Sequence, residues 1–214
     1  FEKAYKQSAK PSRYFQLMVN TTVAMHLLPE LTALLMIPAG PAHSAHGEAT
    51  TFKHVMTTID KAKRMDAPFH VFMAMLLHDM GKAFTPSELL PAHHGHEKRS
   101  ETFATEFLAK HKFSKRVNEF APKAAGLHMK VHCVTQMTPA KLVKFAMVLG
   151  KRDFNDMMTV FECDHPLTTE QRQRLQVVHD VLFELDLSAV ASVPAHRRKD
   201  EAHQLRVAHV RRNT

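Results

Sequence analysis

Apolar side chains in this sequence recur at three- and four-residue spacings and show no sustained alternation, so a fold built from helices is the one open to it. Phe52, Val55, Met56 and Ile59 take the i, i+3, i+4, i+7 positions of an amphipathic helix. Pro68 suits a first helical position, and Phe69, Phe72, Met73, Leu76 and Leu77 form the next apolar face. Gly81 reads as the C-cap of that helix, which puts His78 and Asp79 in its last turn. Phe103, Phe107 and Leu108 mark a further helix, and Ser114 can cap one carrying Val117, Phe120 and Leu127. Thr138-Pro139 opens a helix ending at Gly150, Asp153 caps one running to Asp164, and Thr168 or Thr169 starts one through Leu175, Val178 and Leu182. No Asn-Gly or Asp-Gly pair signals a hairpin. The expectation is an all-α bundle. A loop over residues 38–47 offers a boundary. The sequence thus divides into an N-terminal helical neck at 1–40, a central domain at 41–187 and a basic helical tail at 188–214.

Composition narrows the function classes. With 214 residues the chain can bury the core of one or two small domains. No apolar run reaches the roughly 18 residues that cross a bilayer, so no membrane role is expected. Phe1 is not a natural start, so the sequence reads as a fragment. Cys133 and Cys163 form no CxxC, which argues against a disulfide framework or a thiolate zinc site and for a cytoplasmic setting. A formal charge of +8 favours anionic partners, nucleic acid first among them. The 17 histidines stand out, because imidazole is the commonest metal ligand.

The histidines are not scattered evenly. His78-Asp79 is an adjacent pair that can clamp a metal ion, and Lys82 beyond Gly81 can meet an anionic substrate. His54 sits inside an earlier helix, His93, His94 and His96 lie in a loop before the next, His128 ends another, and Asp164 ends a later one. A two-metal pocket needs about five or six nitrogen and oxygen ligands on rigid elements. The ends of successive helices can bring such distant residues to one mouth. The Asp79 carboxylate is suited to bridge two ions. Taken singly, each of these residues has an ordinary reading as a core, surface or helix-end group. Taken in order, they point to divalent metal ions, with Mn, Fe, Co, Ni, Zn and Mg not distinguished.

That order resembles the HD phosphohydrolase superfamily. Residues 77–82 (Leu-His-Asp-Met-Gly-Lys) and 85–97, which include His93-His94-Gly95-His96-Glu97, are similar to the HD domain of bacterial multifunctional CCA-adding enzymes, the tRNA nucleotidyltransferases. Pro11-Ser12-Arg13-Tyr14-Phe15, Leu28-Pro29-Glu30-Leu31, the pair His128 and His132, and Glu162-Cys163-Asp164 extend the resemblance over roughly residues 11–187. It implies an HD-domain helical bundle with metal-dependent phosphohydrolase activity on 2′,3′-cyclic nucleotides, 2′-nucleotides and other phosphomonoesters. It further implies that His54, His78, Asp79 and Asp164 are primary ligands, that His96 and His128 complete a second metal, and that Lys82 contacts phosphate. His93, His94 and His132 then orient ligands or touch phosphate. The Gly-Ser pair and Asp-x-Asp motif of a nucleotidyltransferase head do not occur in these residues, and whether such a head precedes Phe1 is left open. His165-Pro166-Leu167 stands where the family has an Arg-rich stretch, a departure that bears on substrate preference.

A second reading makes the chain a tRNA-binding scaffold with a structural or vestigial metal site. Its contact surface would be the tail residues Arg197, Arg198, Lys199, Arg206, Arg211 and Arg212. Oligomeric state is left open.

Overall fold

The computed structural model describes residues 1–40 and 50–214. The loop expected at 38–47, and with it the boundary at 40/41, falls largely outside the described residues. The all-α expectation holds: eleven α-helices and no strand occur among the described residues. They are α1 Glu2–Gln7, α2 Ser12–Asn20, α3 Val23–Leu27, α4 Pro29–Ala33, α5 Thr51–Arg64, α6 Phe69–Leu77, α7 His96–Lys110, α8 Lys115–Leu127, α9 Pro139–Asp164, α10 Thr169–Phe183 and α11 Arg198–Asn213. The chain packs into two compact units. One comprises residues 1–129 and 156–166, and the other 130–155 and 167–214.

The first unit is built round α6. Its residues Val71 to Leu77 are fully buried, as befits a helix apolar on every side. It packs against α5 and α8, and α8 packs against α7. Pro68 is the N-cap of α6 in extended backbone, one position earlier than its φ preference suggested. α2 is fastened to α5 through a buried carboxylate. Asp60 accepts from both the backbone N–H and the hydroxyl of Ser12, at 2.9 and 2.7 Å. Those two bonds occupy both oxygens of an acidic group that burial would otherwise disfavour. Ser114 caps α8 by accepting from Val117 N.

Gly81 corrects the sequence reading. α6 ends at Leu77, and residues Met80–Phe84 form a separate 3-10 turn. A Cβ on Gly81 would lie 2.3 Å from the His96 carbonyl oxygen and 2.4 Å from Ser100 N. The glycine is therefore where α7 touches the turn that carries Asp79, not a left-handed helix cap. Gly81 N donates to Ser100 Oγ at 2.8 Å, which fixes that contact.

In the second unit, Thr168 caps α10 with a reciprocal capping box to Gln171. The Gln171 amide also reaches Val131 O, and Arg174 donates to Thr135 O and Met137 O. The break expected at Gly150 is real in dihedral terms: its φ of 67° and ψ of 158° interrupt α9 between two helical arms. Residues 188–214 belong to this unit.

Candidate metal centre

Five helices, or their ends, deliver the candidate ligands, and all six ligand residues fall in the first unit. His54 lies within α5, His78 is the C-cap of α6 with Asp79 next to it, and His96 is the first residue of α7. His96 is thus helical rather than in the preceding loop. Gly95 makes this start possible with a φ of 73°, a left-handed turn that glycine adopts without strain. His128 is the C-cap of α8, and Asp164 is the last residue of α9. All six are buried, none more than 9% exposed.

They meet around Asp79. Its Oδ2 lies 3.4 Å from His78 Nε2 and 3.6 Å from His54 Nε2. Its Oδ1 lies 3.2 Å from His96 Nε2 and 3.8 Å from His128 Nε2. Two donor triads able to hold an ion therefore share one carboxylate: His54, His78, Asp79 and Asp79, His96, His128. Asp164 Oδ1 flanks the first triad, 3.0 Å from His54 Nε2 and 3.4 Å from His78 Nε2.

Proton positions on three of the rings follow from their partners. His78 Nδ1 lies 2.7 Å from Met75 O, His96 Nδ1 2.9 Å from His93 O and His128 Nδ1 2.7 Å from Ala125 O. A carbonyl can only accept, so each Nδ1 carries a proton and donates it. In the neutral ring Nε2 is then a bare lone pair, and all three lone pairs point into the same pocket. This is how a metal-binding histidine is oriented by its surroundings. Asp79 Oδ1 is buried and receives no hydrogen bond, despite the nearness of His96 Nε2. A buried carboxylate oxygen without a donor, facing imidazole nitrogens, fits a cation ligand, and the nitrogen and oxygen donors suit a divalent transition ion.

The electrostatics agree. Burial opposes ionisation of Asp79, but Lys82, followed by His78 and His96, outweighs it and holds the carboxyl well below its ordinary range. Burial likewise opposes the Asp164 carboxylate, and hydrogen bonds from His54 and His78 overcome it. Burial lowers the His128 pKa, and the charge of His78 adds to it, bringing it down to about 3. His128 is therefore neutral and free to ligate. At His78 burial acts downward, but the charges of Asp79 and Asp164 raise the pKa overall. A proton on His78 thus takes the position between two carboxylates that a metal would take, so metal binding would release it.

Lys82 is placed differently from a free phosphate-binding cation. Its Nζ pairs with Asp79 Oδ2 at 2.8 Å and donates to Ala39 O at 2.8 Å, within a side chain 6% exposed. His93 is buried and uses both ring nitrogens, Nε2 on Pro38 O at 2.8 Å and Nδ1 on Thr85 Oγ1 at 2.9 Å. Its backbone carbonyl orients His96. Burial pushes its pKa down, which favours the neutral ring. His94 is exposed, and its carbonyl accepts from Arg99. His132 is half-buried and belongs to the second unit. Of the tail residues, Arg197, Arg198, Lys199, Arg211 and Arg212 are exposed and Arg206 is half-buried. Arg198 donates to Val193 O and Ala191 O and so holds the start of α11. Sequence reasoning missed Thr85, Arg99 and Ser100. Only the placement of Arg99 one helical turn after His96 gave any signal.

A helical bundle that gathers histidines around a His-Asp pair at a helix end has the architecture of an HD domain. Residues 51–147 match the family model described as HD domain, and the chain carries that domain. HD domains form a superfamily of metal-dependent hydrolases, and the paired triads accord with that class. Among curated relatives, the chain is 33% identical over 198 residues to the multifunctional CCA protein of Paracidovorax citrulli, covering 86% of this chain and 46% of that one. It is 30% identical over 220 residues to that of Cupriavidus metallidurans (94% and 52%), and 31% identical over 207 residues to that of Methylobacillus flagellatus (91% and 49%). The chain spans about half the length of these relatives. No solved structure matches it. No helix among the described residues is long and apolar enough to cross a membrane.

Proposed function

We propose that this chain is a metal-dependent phosphohydrolase acting on nucleotide or RNA phosphate ends, with 2′,3′-cyclic phosphodiester, 2′-nucleotide and other phosphomonoester bonds as its substrates. The observation that carries the reading is Asp79 shared between two triads, its Oδ2 facing the Nε2 atoms of His54 and His78 and its Oδ1 those of His96 and His128. His54, His78, Asp79 and Asp164 would hold one divalent ion, and Asp79, His96 and His128 a second. Ions so held would supply Lewis acidity toward a phosphate and acidify a water molecule. The chain's own part is to bind and orient. Lys82 fixes Asp79 and offsets its charge, and the carbonyls of Met75, His93 and Ala125 aim the rings. The likeness to multifunctional CCA proteins supports tRNA as partner or substrate. Free cysteines and the absence of a membrane-crossing helix among the described residues support a cytoplasmic setting.

The test is turnover of 2′,3′-cyclic AMP, 2′-AMP and p-nitrophenyl phosphate by metal-loaded protein, against a carboxylic ester as control. Phosphoester turnover that Asp79→Ala abolishes while the fold persists supports the proposal. Equal turnover in that variant, or none by the parent with any divalent ion, overturns it.

One observation favours a second role, tRNA binding: five basic side chains of the tail are exposed on or beside α11. Backbone contacts of this kind make binding fall steeply with salt. The two roles are compatible in one chain.

A further inference from the structure

The Arg99 guanidinium joins three segments around the His-Asp pair. Its Nε donates to Gly81 O at 3.1 Å, one terminal nitrogen to His94 O at 3.0 Å, and the other to Thr85 Oγ1 at 3.1 Å. From Thr85 the direction of each further bond is fixed. Pro38 O can only accept, so His93 Nε2 carries the ring proton of the neutral imidazole. His93 Nδ1 is then an acceptor, and the Thr85 hydroxyl, which already accepts from Arg99, donates to it at 2.9 Å. The ring of His93 is thereby held at both nitrogens, which fixes its peptide. The carbonyl of that peptide accepts the Nδ1 proton of His96 and also its backbone N–H, both at 2.9 Å. The chain Arg99, Thr85, His93 and His96 ends on the Nε2 that faces Asp79 Oδ1. None of its hydrogen bonds reaches His54, His78 or Asp164.

We propose that Arg99, Thr85 and His93 are positioning residues for one half of the site: they set the ring of His96, and with it the affinity of the Asp79–His96–His128 triad for a divalent ion, while leaving the His54–His78–Asp79 triad unaffected. This rests on the reading of that triad as metal-holding. None of the three touches the ion or the substrate. Removing such an outer partner weakens a metal site about ten- to hundredfold.

Thr85→Val keeps the side-chain shape and deletes the hydroxyl, and Thr85→Ser restores the hydroxyl. Calorimetric titration with Mn2+ alone, paired with circular dichroism to verify the fold, reads both sites without any assay of turnover. Two ions on the parent, one weakened on Thr85→Val with the other unchanged, and recovery in Thr85→Ser support the proposal. A general loss of packing would weaken both ions, and Thr85→Ser would not recover one alone. Two ions bound by Thr85→Val as tightly as by the parent, or both weakened equally, overturn it and leave the two-metal reading standing. Fewer than two ions on the parent removes that reading and the proposal together. If Thr85→Val does not fold, Arg99→Lys, which keeps the charge but loses the fork, must give the same selective weakening, and its failure to do so overturns the proposal.

Discussion

His96 and His128 face each other with their Nε2 atoms 3.1 Å apart, and each ring already donates its Nδ1 proton to a backbone carbonyl. As neutral imidazoles they cannot hydrogen-bond to one another, because both facing atoms are lone pairs. With no cation between them the contact is repulsive, so the arrangement suits a bound ion better than the free protein. The effect of His128→Leu should therefore depend on metal. In chelated protein it should be close to neutral, since a lone-pair clash is removed along with one hydrogen bond. With Mn2+ at about a hundred times its dissociation constant, the parent should gain about 2.7 kcal/mol per ion and the variant should forgo the share of one. Thermal melts of both proteins with and without Mn2+ measure this, and an equal metal-induced shift in the two would contradict it.

Gly81→Ala should be among the most damaging small substitutions in the chain. The added methyl would meet the backbone of His96 and Ser100 at 2.3 and 2.4 Å, and neither atom can rotate away. Overpacking of this kind typically costs about 1–3 kcal/mol. Relief by moving α7 would withdraw His96 from Asp79, so metal affinity should fall as well. Urea denaturation with and without Mn2+ gives both quantities. A variant that matches the parent in both would show that the turn and α7 are not in close contact.

Lys82 invites a choice between two roles. The sequence reading has it touching phosphate, whereas its Nζ is bonded to Asp79 Oδ2 and Ala39 O. If it acts through Asp79, Lys82→Met strands a buried carboxylate. Breaking a buried pair from one side costs roughly 3–5 kcal/mol. Added Mn2+ should recover part of that, because the ion replaces the lost counter-charge. Chemical denaturation of the chelated and Mn2+-loaded variant reads the effect. A rise in KM with stability and metal affinity unchanged would instead return Lys82 to the phosphate.

How much of this was legible in sequence follows from the range of each interaction. Helices came through because their spacings are local, and so did the capping residues Ser114 and Thr168. The six candidate ligands were found by residue type and order, and the structure brings them together in one unit. Gly81 was misread because a glycine after an apolar run usually caps a helix. Its role is set by His96 and Ser100, which sequence spacing does not connect to it. Lys82 and His93 have the same difficulty: their partners Ala39 and Pro38 lie some forty to fifty-five residues upstream. Thr85 carried no signal, and Arg99 only its place one turn after His96, because neither is a ligand type and both reach His96 through His93.

The tail offers a last test, one that separates residues alike in charge. Arg211 and Arg212 are exposed at the end of α11, whereas the Arg198 guanidinium is bonded to Val193 O and Ala191 O at the start of that helix. If α11 contacts RNA backbone, Arg211→Gln and Arg212→Gln should each weaken tRNA binding and reduce the slope of log affinity against log salt by about 1. Arg198→Gln should change that slope less and instead fray the helix start, because its Nε and one terminal nitrogen are already engaged by Val193 O and Ala191 O. Binding isotherms across a salt series, with helicity followed by circular dichroism, distinguish the two effects. Equal slopes for all three variants and the parent would remove α11 from the RNA contact altogether.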